Sequence, residues 1–181
     1  SMHRREGLPM VQGTLKLLVE QLRPQDRVSL VTYAGDSKVV LDSAPGSDKA
    51  KIRAAIDQLS AGGSTAGESG IQLAYQQASK HMIDGGINRI LLATDGDFNV
   101  GISDFDSLKQ LAADKRKTGV SLTTLGFGVD NYNERLMEQL ADAGDGMHAR
   151  PAEIRERTRT LALERERVAE GLPQRPFAER I

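Results

Sequence analysis

The chain contains no cysteine and no tryptophan. Disulfide frameworks, thiolate nucleophiles and cysteine-bound zinc are therefore excluded. Aromatic residues make up only 4%, too few for a platform on which nucleic-acid bases stack. Against 24 basic side chains stand 25 acidic ones, a formal net charge of −1, so no global field draws in a polyanion or an anionic membrane surface. The longest uninterrupted apolar run is Ile90–Ala93, far short of the roughly 20 residues that span a bilayer. The opening SMHRREG has no apolar core of the signal-peptide kind, which leaves the compartment unread. Three histidines, His3, His81 and His148, show no metal-ligand spacing and are expected at the surface.

What remains is ample for one domain. The 181 residues are 39% hydrophobic, with 18 glycines and a mean hydropathy of −0.40, a length and composition suited to a single α/β core. The basic residues are unevenly distributed. Residues 1–149 carry eight Lys and eight Arg against 19 acids, whereas residues 150–181 carry eight Arg, no Lys and six acids. This break sets an expected boundary near Ala149, with 1–149 as the domain and 150–181 as an Arg/Glu-rich tail, helical or disordered.

Within the body, helical and strand periodicities alternate. Val11, Leu15, Leu18 and Leu22 share one helix face that ends before Pro24. RVSLVTY (27–33) and KVVL (38–41) read as strands. A second helix, capped by Ser47 or Asp48, aligns Ile52, Ile56 and Leu59, and a third aligns Ile71, Tyr75, Ala78 and Met82. NRILLAT (88–94) and VSLTTLGFGV (120–129) have the near-continuous apolar character of strands buried on both faces. Helices over about 104–117 and around Leu136–Ala143 complete the set. Strands alternating with amphipathic helices predict an α/β fold, a mostly parallel sheet covered on both faces.

In such sheets ligands bind beyond the carboxyl ends of the strands. Two segments belong there: TDGDFN (94–99), directly after a strand, and the loop GGSTAGESG (62–70). Asp95 and Asp97 offer the hard oxygen ligands that Mg²⁺ or Ca²⁺ require, although an Asp-Gly pair also commonly just shapes a turn. An EF-hand is rejected, because its sixth position, which must be Gly, is Val100. Ser64 and Thr65 lie in the glycine-rich loop, which lacks the Gly-Lys-Ser/Thr ending of a phosphate cradle. GESGI puts Ile71 where a nucleophile elbow needs its second glycine, which places Ser69 in the first turn of a helix instead. GFGVD (126–130) lacks the third glycine of a dinucleotide fingerprint.

Taken together, TLKLLVEQL, QDRVSLVTYAGDS, AIDQLSAGGSTAGESGIQLAYQQA, GGINRILLATDGDFNVGISD and LTTLGFGVDNYNERLMEQLADAGDG resemble the von Willebrand factor type A domain. The likeness runs from Ser1 to Gly146 and is strongest to the bacterial cell-envelope branch, whose members often carry a lipoprotein signal and a further C-terminal domain. It implies a three-layer, doubly wound, Rossmann-like sheet and a metal-ion-dependent adhesion site built from three loops. In that family the loops read Asp-x-Ser-Gly-Ser-Met, a Thr, and the Asp of Thr-Asp-Gly. Thr65 matches the second and Asp95 the third, and Ser1-Met2 matches only the end of the first.

The resemblance further implies Mg²⁺, or Mn²⁺ or Ca²⁺, as the ion, and a protein partner that offers a carboxylate to it. It implies no enzymatic activity, no nucleic acid and no membrane insertion by this segment. Measured against the family, the first, central strand and most of its motif are not in the chain. The expectations that follow are an incomplete site that binds metal weakly and an unstable central gap. That gap would close by pairing of 27–33 with 88–94, be filled by strand exchange, or promote self-association. After Gly146 the final strand of the family is also in doubt. The alternative of a different class is an α/β small-molecule or nucleotide-binding enzyme using the same sheet edge.

Overall fold

The structure is a computed structural model that describes residues 7–33, 36–60, 67–94, 102–127, 134–150, 152–156 and 158–159. The elements run α1 (Gly7–Glu20), β1 (Arg27–Thr32), β2 (Lys38–Pro45), α2 (Lys49–Asp57), α3 (Gly67–Lys80), β3 (Asn88–Thr94), α4 (Ile102–Lys117), β4 (Val120–Gly126), α5 (Glu134–Ala143) and β5 (His148–Ala149). All helices and strands expected from periodicity are present. β5 is the addition, a two-residue strand paired in parallel with β4 (Thr124↔His148, Leu125↔Ala149), so a final strand does follow Gly146. Asp48 is the N-cap of α2, its side chain accepting from the Lys51 amide, as expected where the first helical N–H groups lack intrahelical partners.

β3 and β4 pair in parallel from Asn88↔Val120 to Thr94↔Gly126, and their alternation divides the core. Ile90, Leu92, Val120 and Leu122 face α3, α4 and α5, where they pack with Ile71, Tyr75, Phe105, Leu108, Met137 and Leu140. Leu125 and Phe127 face the opposite layer, with Val11 of α1 and Ile154. This is the period-2 rule applied to a strand buried on both sides. Helical residues 152–156 and 158–159 extend the core through Ile154 and Thr158, both 7% exposed.

β1 and β2 form a separate antiparallel sheet, packed on α1 and α2 through Val19, Leu41, Ile52 and Ile56. β1 does not pair with β3, and among the described residues no strand joins the two sheets. Direct closure of the expected central gap therefore does not occur. The effect on burial is visible. No residue of β1 is fully buried, and Leu91, in a strand expected to be covered on both faces, is 43% exposed.

Tyr75 lies under this core at 1% exposure, and its hydroxyl has no hydrogen-bond partner among the described residues. Burial pushes its phenol up to about 12, above the value near 10 of an unfolded chain. The folded state therefore holds a proton that the unfolded state releases, and stability is expected to fall as pH rises from about 10 to about 12, by roughly 2–3 kcal/mol. Tyr75→Phe should remove this alkaline loss and change stability little at neutral pH, since the hydroxyl it deletes is unsatisfied. Urea unfolding of both proteins at pH 8 and pH 11 checks this; equal alkaline losses would refute it.

Candidate functional site

The three residues expected to hold metal, Ser1, Thr65 and Asp95, lie outside the described residues, as do Ser64, Asp97 and His3. Their flanking elements are described, and these converge. The Tyr33 hydroxyl, one residue beyond β1, donates to the Ala93 carbonyl near the end of β3 at 2.6 Å. The carboxyl ends of β1 and β3 thus lie together. The start of α3 is pressed against the same tyrosine: a Cβ on Gly70 would stand 2.4 Å from the Tyr33 Cβ, so only glycine allows this approach. Ser69 occupies the first turn of α3, as expected, and its hydroxyl lies 2.7 Å from that of Ser37, just before β2.

The ends of β3 and β4 are joined as well, the Phe127 amide donating to the Thr94 carbonyl at 2.8 Å. Met10 and Val11, in the first half of α1, pack with Leu125 and Phe127 at that edge. The described residues that flank segments 1–6, 61–66 and 95–101 therefore gather at one end of the sheet, where a parallel α/β sheet binds ligands. The donor types suit a hard cation, Thr65 supplying a hydroxyl and Asp95 a carboxylate.

With this architecture established, comparison with known proteins is decisive. A family model for the von Willebrand factor type A domain matches residues 1–158. The chain belongs to this family. The Escherichia coli K12 protein YfbK is 56% identical over 149 residues, which cover 82% of this chain and 26% of that protein. The Synechocystis protein sll0103 is 32% identical over 143 residues, covering 78% of this chain and 33% of its own length. The chain thus spans about a quarter to a third of the length of these bacterial relatives. Among solved structures, a von Willebrand factor type A protein from Catenulispora acidiphila superposes with a TM-score of 0.71 at 20% identity, over 91% of this chain and 39% of that one. Proximal thread matrix protein 1 from the mussel byssus, described with a zinc-occupied MIDAS motif, gives 0.61 at 18% identity, over 89% of this chain and 43% of that one. These likenesses confirm the von Willebrand A fold and its bacterial relatives.

One cluster near the sheet edge escaped sequence reasoning. His148, expected at the surface, has a side chain only 9% exposed, because β5 carries it against β4. The Thr124 hydroxyl lies 3.1 Å from the Met137 carbonyl and 2.8 Å from His148 Nδ1. A carbonyl can only accept, so the single hydroxyl proton goes to Met137 and Nδ1–H donates to Thr124. Glu134 stands 3.9 Å from Nε2 and pairs with Arg150. The order hydroxyl, imidazole, carboxylate is that of a nucleophilic triad. Thr124, however, is 0% exposed and its proton is already committed, so these groups tie α5 to β4 and β5. The hydrogen bond from Arg150 holds the Glu134 carboxyl below the usual carboxylate range. The contribution of that pair is present above the ordinary carboxylate pKa and is lost as pH falls through the depressed value. His81, by contrast, is at the surface as expected, at the end of α3 beside Asp42. No described helix is long and apolar enough to cross a membrane.

Proposed function

We propose that the chain is a non-enzymatic protein-binding module that recognises its partner through a divalent cation at the carboxyl edge of the sheet. The observation that carries this is the convergence around Tyr33, which ties the end of β1 to the end of β3 and admits the start of α3. Thr65 lies two residues before α3, and Asp95 directly follows β3. Both therefore leave elements that meet at one point. Ser1, a few residues before α1, is the third ligand in this proposal.

Mg²⁺ prefers octahedral oxygen coordination and retains waters, so a hydroxyl and a carboxylate can hold it while a coordination position stays available. A carboxylate from a partner protein fills that position. The zinc-occupied MIDAS motif of the mussel protein supports a metal-binding reading of this fold, and likeness to the cell-envelope branch supports a bacterial envelope setting.

Mn²⁺ offers the test, because it broadens nuclear resonances near where it binds. Titration should broaden the amides of Gly67–Gly70 and of Ala93 and Thr94 before others. Asp95→Ala should abolish that selectivity while the dispersed spectrum of a folded domain persists. Broadening centred elsewhere, or unchanged by Asp95→Ala, would refute the metal assignment.

A further inference from the structure

A concavity lies at the far end of the sheet from the proposed metal edge. It measures about 190 Å³, and its walls include Asn88, Arg89, Arg116, Gly119, Ser121 and Asp145. β3 and β4 start there at Asn88↔Val120 and end together at Thr94↔Gly126, so roughly 20 Å of strand separates the two places.

Arg89 is held in place on this wall. Its Nε donates to the Ser121 hydroxyl at 3.2 Å, and that hydroxyl donates in turn to the Asn88 carbonyl at 3.4 Å. The Asn88 side chain is itself fixed, exchanging hydrogen bonds of 2.9 and 3.0 Å with the main chain of Ile83. The terminal N–H groups of Arg89 stay uncommitted. Arg116, in the last turn of α4, makes no ion pair among the described residues, and neither does Arg89, whereas the next residue, Lys117, pairs with Asp114. The helix end offers no bare carbonyl to repel an anion beside Arg116. The Lys115 carbonyl accepts from the Thr118 amide and hydroxyl, and the Arg116 carbonyl accepts from the Gly119 amide. Gly119, at a φ of 93°, turns the chain into β4 and puts no side chain into the space.

We propose that this concavity binds a small phosphate monoester that carries a hydroxyl group. Each guanidinium presents a planar fork that matches two oxygens of one oxyanion. Two forks therefore call for more oxygens than a carboxylate has, and a phosphate supplies them. The volume equals that of about six water molecules in the liquid, which leaves room for a short carbon chain beside the phosphate. Asp145 selects what that chain carries. Its carboxylate, unpaired among the described residues, can only accept; it repels a bare phosphate and takes a hydrogen bond from a neighbouring hydroxyl. The proposal is independent of the metal assignment.

The test titrates the 181-residue chain with glycerol 3-phosphate, inorganic phosphate and glycerol at low salt, followed by amide resonances. Saturable binding of the ester is expected, with shifts largest at Asn88, Arg89, Gly119 and Ser121. Inorganic phosphate should bind roughly tenfold more weakly for want of one hydrogen bond to a charged group, and glycerol should not bind. Arg116→Gln lies on an exposed helix face and should weaken the ester by roughly tenfold or more. Arg116→Lys keeps the charge but lacks the fork, and should not restore the parent affinity. Asp145→Asn suits the positive φ of 54° at that position, and should narrow the preference for the ester over phosphate several-fold. The proposal is overturned if no titration saturates, or if the shifts centre elsewhere. It is equally overturned if Arg116→Lys binds as the parent does, or if Asp145→Asn leaves the preference unchanged.

Discussion

Gly70→Ala is expected to destabilise the domain by about 1–3 kcal/mol and to remove selective Mn²⁺ broadening at the sheet edge. An alanine Cβ there would meet the Tyr33 Cβ at 2.4 Å and its Cγ at 3.0 Å. These atoms sit at the base of the side chain, so the clash cannot be relieved by swinging a flexible tip. Overpacking of this kind costs typically about 1–3 kcal/mol. Displacing Tyr33 also forfeits its 2.6 Å bond to Ala93, worth about 1 kcal/mol. Opposing these is the helix propensity gained when Gly becomes Ala, about 1 kcal/mol at most, and the sum stays unfavourable. Gly13→Ala in α1 is the control, because nothing lies within 4 Å of its added Cβ; it should stabilise by about 0.5–1 kcal/mol. Urea midpoints of the two variants decide the matter. Should Gly70→Ala match Gly13→Ala, the close approach of α3 to Tyr33 is not constraining.

Gly146→Ala should have the larger effect, about 3–5 kcal/mol. Its Cβ would fall 1.8 Å from the Leu122 carbonyl oxygen and 2.9 Å from the Thr123 amide nitrogen. Both atoms are backbone of β4, the strand between β3 and β5, and cannot yield without moving the sheet. The segment that must retreat also accepts the Leu122 amide through Gly144 and the Thr124 amide through Met147, each at 3.0 Å. Each such amide, once orphaned in the interior, costs about 1–3 kcal/mol, against a total margin of about 5–15 kcal/mol. Urea unfolding should show a much reduced midpoint or no folded baseline; a midpoint equal to that of the parent would contradict the packing described.

The von Willebrand A arrangement was legible wherever the pattern of one segment suffices. The Ile71 and Tyr75 face of α3, the Phe105, Leu108 and Ala112 face of α4 and the parallel pair β3–β4 all follow from spacings of 3.6 or from continuous apolar runs. Boundaries moved modestly. β2 extends to Pro45 rather than ending at Leu41, with Ser43 at a positive φ of 44°, held by Arg27 and by the Ser29 hydroxyl. Such cross-strand support is invisible to local propensity. Met137 of α5, at 1% exposure, was likewise passed over, since Leu136 and Leu140 already satisfied a helical spacing one residue away.

The candidate site divides in the same way. Residue types alone offered Asp95, Asp97, Ser64 and Thr65 as oxygen donors for a hard cation at the sheet edge, and the family resemblance singled out Thr65 and Asp95 among them. That the elements carrying them meet depends on Tyr33, whose role at Ala93 and against Gly70 has no signature in spacing. By itself, then, the sequence determined the order and type of the elements, the faces they bury and the chemistry available at the sheet edge. These are properties of how side chains repeat along a single segment. The tertiary structure alone decided that the expected gap is not closed by pairing of β1 with β3, that Leu91 is 43% exposed, and that the His148 side chain packs against Thr124. Those outcomes depend on which backbone edges find partners among residues distant in the chain, and a hydrogen-bond donor or acceptor of the main chain is the same at every position but proline.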